Sequence, residues 1–118
     1  MIVGIGIDLV QLKEIFEGGV DHYRDLILTN SEKKLCDNIP SNNSQAMFIA
    51  GRYAAKEAIF KALRKYNNKL DYHDFSVLNE KDGSSTVKSK HEKIEGIIHL
   101  TMTHTNEYAL AYVVIESN

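Results

Sequence analysis

At 118 residues the chain is sized for a single domain, residues 1–118, able to bury a core of its own. Charged residues are 25% of the total in mixed signs with a net charge of -2, which excludes a nucleic-acid binder that works through bulk charge. A single cysteine, Cys36, rules out an intramolecular disulfide and is a poor start for a structural zinc site, so a reduced, cytoplasmic chain is expected.

The N-terminus has no basic stretch, and Asp8 interrupts its apolar run, so no signal peptide is expected. No apolar run reaches the ~20 residues of a membrane span, so none is expected. Residues 2–10 read as a buried strand, rich in isoleucine and valine, with Gly4 and Gly6 marking a close approach by another backbone or a ligand. Residues 11–17 predict a short helix that stops at Gly18-Gly19, and residues 21–28 a second. Asn30 or Ser31 is the expected cap of a third, running through Leu35.

Pro40-Ser41-Asn42-Asn43 is a loop signal, after which Ser44 is the expected cap of the longest helix, about 45–65, ending at Asn67-Asn68. Its apolar positions recur near helical spacing, and its alanines, lysines and glutamate are good helix formers. Phe75–Leu78 reads as a short strand, 81–84 as a turn and 86–88 as its return. Residues 97–103 and 108–115 read as a hairpin joined through His104–Glu107. The whole is α+β, one long helix packed on a largely antiparallel sheet.

Three segments carry candidate chemistry. Asp8 lies in an apolar strand, where an unpaired carboxylate is costly, so it needs a cation, a metal or hydrogen-bond donors. On the long helix, Glu57 and Lys61 stack four residues apart, as do Arg52 and Lys56; on spacing alone this is a solvated face with a helix-supporting pair worth ~0.2–0.5 kcal/mol. His104 among the hydroxyls of Thr101, Thr103 and Thr105 suits either a phosphate or a turn cap.

Together the three segments resemble the holo-[acyl-carrier-protein] synthases, the small bacterial class of 4'-phosphopantetheinyl transferases. Gly4-Ile5-Gly6-Ile7-Asp8-Leu9 is similar to that family's first strand. Phe48 to Ala58 with Lys61-Ala62 is similar to its central helix. Thr101-Met102-Thr103-His104-Thr105 with Tyr108-Ala109 is similar to its C-terminal hairpin. Ile27-Leu28-Thr29 and Ser31-Glu32 also match, and the order and separations agree over nearly the whole chain.

The resemblance implies the 4'-phosphopantetheinyl transferase fold and transfer of phosphopantetheine from coenzyme A to a serine of apo-acyl carrier protein, in support of fatty-acid biosynthesis. It implies release of 3',5'-ADP and a homotrimer with sites between subunits. By motif position Asp8 and Glu57 are the expected magnesium ligands, catalytic together with Lys61, which faces the pyrophosphate. Arg52, Lys56, Lys61 and His104 are the expected contacts to coenzyme A. The serine proton has two open destinations, Asp8 or a water on the metal. Two rivals are a magnesium-dependent phosphoesterase using the same carboxylates and a non-enzymatic module in which the charges only balance one another.

Two departures from the family pattern stand out. Ser84-Ser85 follow Asp82-Gly83 where many members carry lysine and proline, which predicts altered or looser holding of the nucleotide end. In the first helix Glu14 stands where a basic face toward an acidic carrier is expected; Lys13, His22, Arg24, Lys33 and Lys34 remain as basic contacts. Carrier docking that is weaker, or adapted to a less acidic partner, is therefore expected.

Overall fold

The computed structural model describes residues 1–64, 69–90 and 96–118. Three strands, β1 (Ile2–Gln11), β4 (Ile97–His104) and β5 (Tyr108–Glu116), form an antiparallel sheet in the order β1-β5-β4. A second antiparallel pair joins β2 (Phe75–Asn79) to β3 (Ser85–Ser89). Three short helices, α1 (Leu12–Gly18), α2 (Val20–Ile27) and α3 (Asn30–Asp37), precede the long α4 (Asn42–Ala62).

The core is the contact of α4 with the three-stranded sheet. Ala109, Ala111, Val113 and Ile115 alternate along β5, all buried, and turn toward the helix side. The helix answers with Ala50, Ala54, Ala58 and Ile59, also buried. On β1 the matching face is Gly4, Gly6, Asp8 and Val10, paired to those residues of β5 in register. A Cβ on Gly6 would stand 1.9 Å from the Ala58 carbonyl oxygen, and one on Gly4 2.2 Å from that of Ala62. Only glycine lets the strand and helix backbones meet this closely.

β1 is not buried on both faces. Ile5, Ile7 and Leu9 point away from α4 and remain 60%, 53% and 58% exposed. The expectation of a buried strand thus holds for one face only, because the outer face is left exposed by the described residues of a single chain.

α3 and α4 start earlier than expected. Ser41, not Ser44, caps α4: its side chain accepts the Ser44 N–H at 3.0 Å, so Asn42 and Asn43 are helical and not loop. Such a cap is worth ~1 kcal/mol. Thr29 caps α3 through a reciprocal box with Glu32, replacing the expected Asn30 or Ser31. α4 ends at Ala62, and the expected terminator Asn67-Asn68 lies outside the described residues.

Candidate active site

The close approach of β1 and α4 sets the first group of candidate residues side by side. Lys61, in the last turn of α4, donates its ammonium to Asp8 Oδ1 at 3.0 Å and to the Ile7 carbonyl at 2.8 Å. Asp8, one-fifth exposed, thereby has a cation that offsets its place in an apolar strand. The pair expected from helical spacing, Glu57 with Lys61, is not made. Glu57 Oε1 accepts the hydroxyl of Tyr72 at 2.5 Å instead.

Asp8 and Glu57 line one cavity of about 450 Å³, together with Gln11, Glu14 and Tyr53. Three carboxylates facing one hollow make it acidic. Burial, and after it the charges of Glu14 and Glu57, push the Tyr53 phenol up. Tyr72 is pushed up more strongly, by burial first and then by its bond to Glu57, so it stays a donor at ordinary pH. Asp8 and Glu57, each already bonded through one oxygen to Lys61 or Tyr72, are oxygen ligands of the kind magnesium takes together with waters and phosphate oxygens. The ligand chemistry suits the expected metal, and among the described residues no group of three or more histidine, cysteine, aspartate or glutamate side chains is gathered to hold one without further ligands.

A second hollow, a cleft of about 570 Å³, runs between the first half of α4, β4 and the hairpin of β2 and β3. Arg52 and His104 line it, with Phe48, Met102, Thr103 and Ser84. Arg52 is 6% exposed and is held in place from several sides: its guanidinium donates to the Val77 carbonyl and to Asn79 Oδ1 at 3.1 Å, and lies 3.9 Å over the Phe48 ring. His104 ends β4 and is exposed. The neighbouring Thr105 hydroxyl accepts the N–H groups of Glu107 and Tyr108, both at 3.1 Å, so that threonine caps the turn while the histidine faces the cleft.

Lys56 joins neither group. Its side chain is fully buried, and its ammonium donates to Glu32 Oε1 and to the Ile27 carbonyl, both at 2.6 Å. Burial lowers its pKa, while the Glu32 carboxylate opposes that shift. As a contact to coenzyme A, Lys56 is corrected by this geometry: no atom of its head group reaches solvent. Because both side chains are buried, the solvated-face reading of Arg52 and Lys56 does not hold.

Known proteins place this geometry in a family. The model of the 4'-phosphopantetheinyl transferase superfamily matches residues 4–113. The holo-[acyl-carrier-protein] synthase of Acholeplasma laidlawii is 42% identical over 117 residues, covering 99% of this chain and 98% of that protein. The synthase of Geobacillus sp. is 37% identical over 119 residues, covering 98% of each. The crystal structure of the Bacillus anthracis synthase, in complex with CoA (3',5'-ADP), superposes with a TM-score of 0.86 at 34% identity, over 100% of this chain and 99% of that one. The chain belongs to the holo-[acyl-carrier-protein] synthases.

For a synthase of this family, two local features depart from expectation. The Ser84 loop is tightly bound: Asp82 Oδ1 accepts both the Ser84 N–H and its hydroxyl, at 2.9 and 2.5 Å, and Glu80 N–H donates to the Ser84 carbonyl. The looser loop expected from Ser84-Ser85 gives way to a pinned one. The basic residues expected to meet the carrier are largely engaged: Lys13 with Glu17 at 3.6 Å, Arg24 with Asp37 at 2.7 Å, Lys33 with Asp25 at 3.5 Å. Glu14 faces the acidic cavity, so its charge bears on Asp8 and Glu57 as well as on any docked partner. Tyr72 was not among the candidates from sequence; a lone tyrosine in Asp71-Tyr72-His73-Asp74 has no periodicity to single it out.

Proposed function

We propose that this chain transfers the 4'-phosphopantetheine of coenzyme A to a serine of apo-acyl carrier protein and releases 3',5'-ADP. The observation that carries the reading is the meeting of Asp8, Glu57 and Lys61 at the β1–α4 contact, in a chain of this family. The serine oxygen forms a bond to the phosphorus bearing pantetheine, its proton passing to Asp8 or to a water, and the bond from that phosphorus to the bridging oxygen of the leaving 3',5'-ADP breaks. Such transfer depends mainly on positioning and electrostatic stabilisation.

In this reading Lys61 sets a positive charge beside the departing phosphate, and Asp8 and Glu57 are the residues that would hold magnesium. Bound there, magnesium would neutralise charge on the pyrophosphate. Arg52 and His104 offer N–H donors to phosphate or nucleotide groups in the larger cleft. Asp8 and Glu57 line one hollow of a chain and Arg52 and His104 another. This separation, with the uncovered face of Ile5, Ile7 and Leu9, supports a homotrimer in which one subunit's acidic cavity adjoins a neighbour's cleft. The acyl carrier of fatty-acid synthesis is the acceptor we assign, and the cytoplasm the location, both from the likeness to the synthases. Separately, no helix among the described residues is long and apolar enough to cross a membrane.

The test is the intact mass of apo-acyl carrier protein incubated with this protein, coenzyme A and magnesium. A gain of one phosphopantetheine, abolished by a chelator, is expected. Asp8→Ala and Glu57→Gln should each slow the transfer by ~100-fold or more while the protein stays folded by circular dichroism. Hydrolysis of coenzyme A without modification of the carrier would make the protein a phosphoesterase instead.

A further inference from the structure

Glu57 stands one helical turn before Lys61, the order and spacing at which glutamate and lysine pair on a helix. The structure sends the two side chains elsewhere. Lys61 reaches across to Asp8 and the Ile7 carbonyl, and Glu57 Oε1 takes the Tyr72 hydroxyl. Glu57 Oε2 accepts no hydrogen bond among the described residues.

Tyr72 reaches Glu57 from a different element, a 3-10 turn over Tyr72–Asp74. That turn is fixed by a reciprocal cap: the Asp71 N–H donates to Asp74 Oδ2 at 2.9 Å and the His73 N–H to Asp71 Oδ1 at 3.0 Å. His73 Nε2 lies 3.0 Å from the Asp25 carbonyl and ties the turn to α2. The Tyr72 ring meets Tyr53 edge-on at 5.8 Å and Phe60 at 5.2 Å. Tyr53 and Phe60 both belong to α4, one on each side of Glu57 in sequence. The phenol is therefore a donor whose position is set by the same helix that carries its acceptor.

We propose that Tyr72 is a positioning residue for the transfer reaction: its hydroxyl holds Glu57 away from Lys61 and leaves the second carboxylate oxygen for the metal. This rests on the function proposed above. A ligand oxygen without its outer partner is free to turn, and its metal affinity drops. Without the hydroxyl, Glu57 regains the option of pairing with Lys61, which would also draw that lysine from Asp8.

Tyr72→Phe tests this, because it keeps the ring and removes only the donor. Mn2+ serves as a paramagnetic probe of binding to the assembled protein in the presence of coenzyme A. The variant should bind Mn2+ about 10-fold or more weakly and need correspondingly more Mg2+ for half-maximal transfer, with turnover largely recovered at saturating Mg2+. In a Glu57→Gln background the same change should weaken Mn2+ binding no further. Equal Mn2+ affinity in the parent and Tyr72→Phe overturns the assignment, whatever happens to the melting temperature, and so does a full additional loss in the Glu57→Gln background. A parent that binds Mn2+ but transfers nothing overturns the functional reading alone. Normal transfer with equal Mn2+ affinities overturns the role of Tyr72 alone.

Discussion

Glu32 takes three donors from three parts of the chain: the Thr29 N–H, the Lys56 ammonium and the Val77 N–H, the last at 2.9 Å. Both members of the pair are fully buried, yet each finds partners, so the cost of desolvation is offset. Removing one partner is a different matter. Lys56→Ala should lower unfolding free energy by ~3–5 kcal/mol, because Glu32 is left as a buried, uncompensated charge. Lys56→Met combined with Glu32→Gln should lose less than Lys56→Ala alone; urea titrations of both decide it, and a larger loss in the double variant would contradict the account. From the sequence Lys56 read as a solvated cation, since nothing in local spacing names an acid in α3. A hint was present: Ala55 and Ile59 flank Lys56 on the helix, both buried in the fold. Asp8, by contrast, was legible from one residue, because a carboxylate in a run of isoleucine and valine requires a partner, and the structure supplies Lys61.

The contact of β1 with α4 is the element on which the candidate chemistry depends. Sequence pattern found both elements, and the glycines of β1 announced a close backbone approach that the structure confirms. What the pattern missed was where helices begin. Ser41 and Ser44 both carry a capping hydroxyl, and Ser41 starts α4 because its hydroxyl reaches an orphan N–H three residues on. Gly6→Ala should be far worse than a usual glycine-to-alanine change. Its Cβ would overlap the Ala58 carbonyl, which is backbone and cannot swing aside. A loss of ~3 kcal/mol or more is expected in chemical denaturation, with transfer activity falling because Asp8 and Lys61 are pushed apart. A variant with unchanged stability and activity would show that α4 can shift at no cost.

For the molecule as a whole, the sequence pattern gave an α+β arrangement, and the family resemblance gave the activity. Neither periodicity nor spacing revealed that the candidate residues divide between two hollows, since that depends on how four elements far apart in sequence meet. If the outer face of β1 seats a neighbouring subunit, Ile7→Lys should shift the mass from light scattering toward a monomer and reduce transfer without unfolding the chain. A parent protein that is a clean monomer at working concentration would sink the shared-site reading. The order of strands has one more consequence. β5 lies between β1 and β4, so among the described strands of one chain β1 pairs with β5 alone, with Met1 and Ser117 joined by a backbone hydrogen bond. Nearly the whole sequence lies inside the loop that this pairing closes, and long-range closure of that kind is slow. During synthesis on the ribosome, β1 and α4 lack the cover of β5 until residues 108–116 have emerged. Apolar surface left open in such an interval is a general route to misassociation.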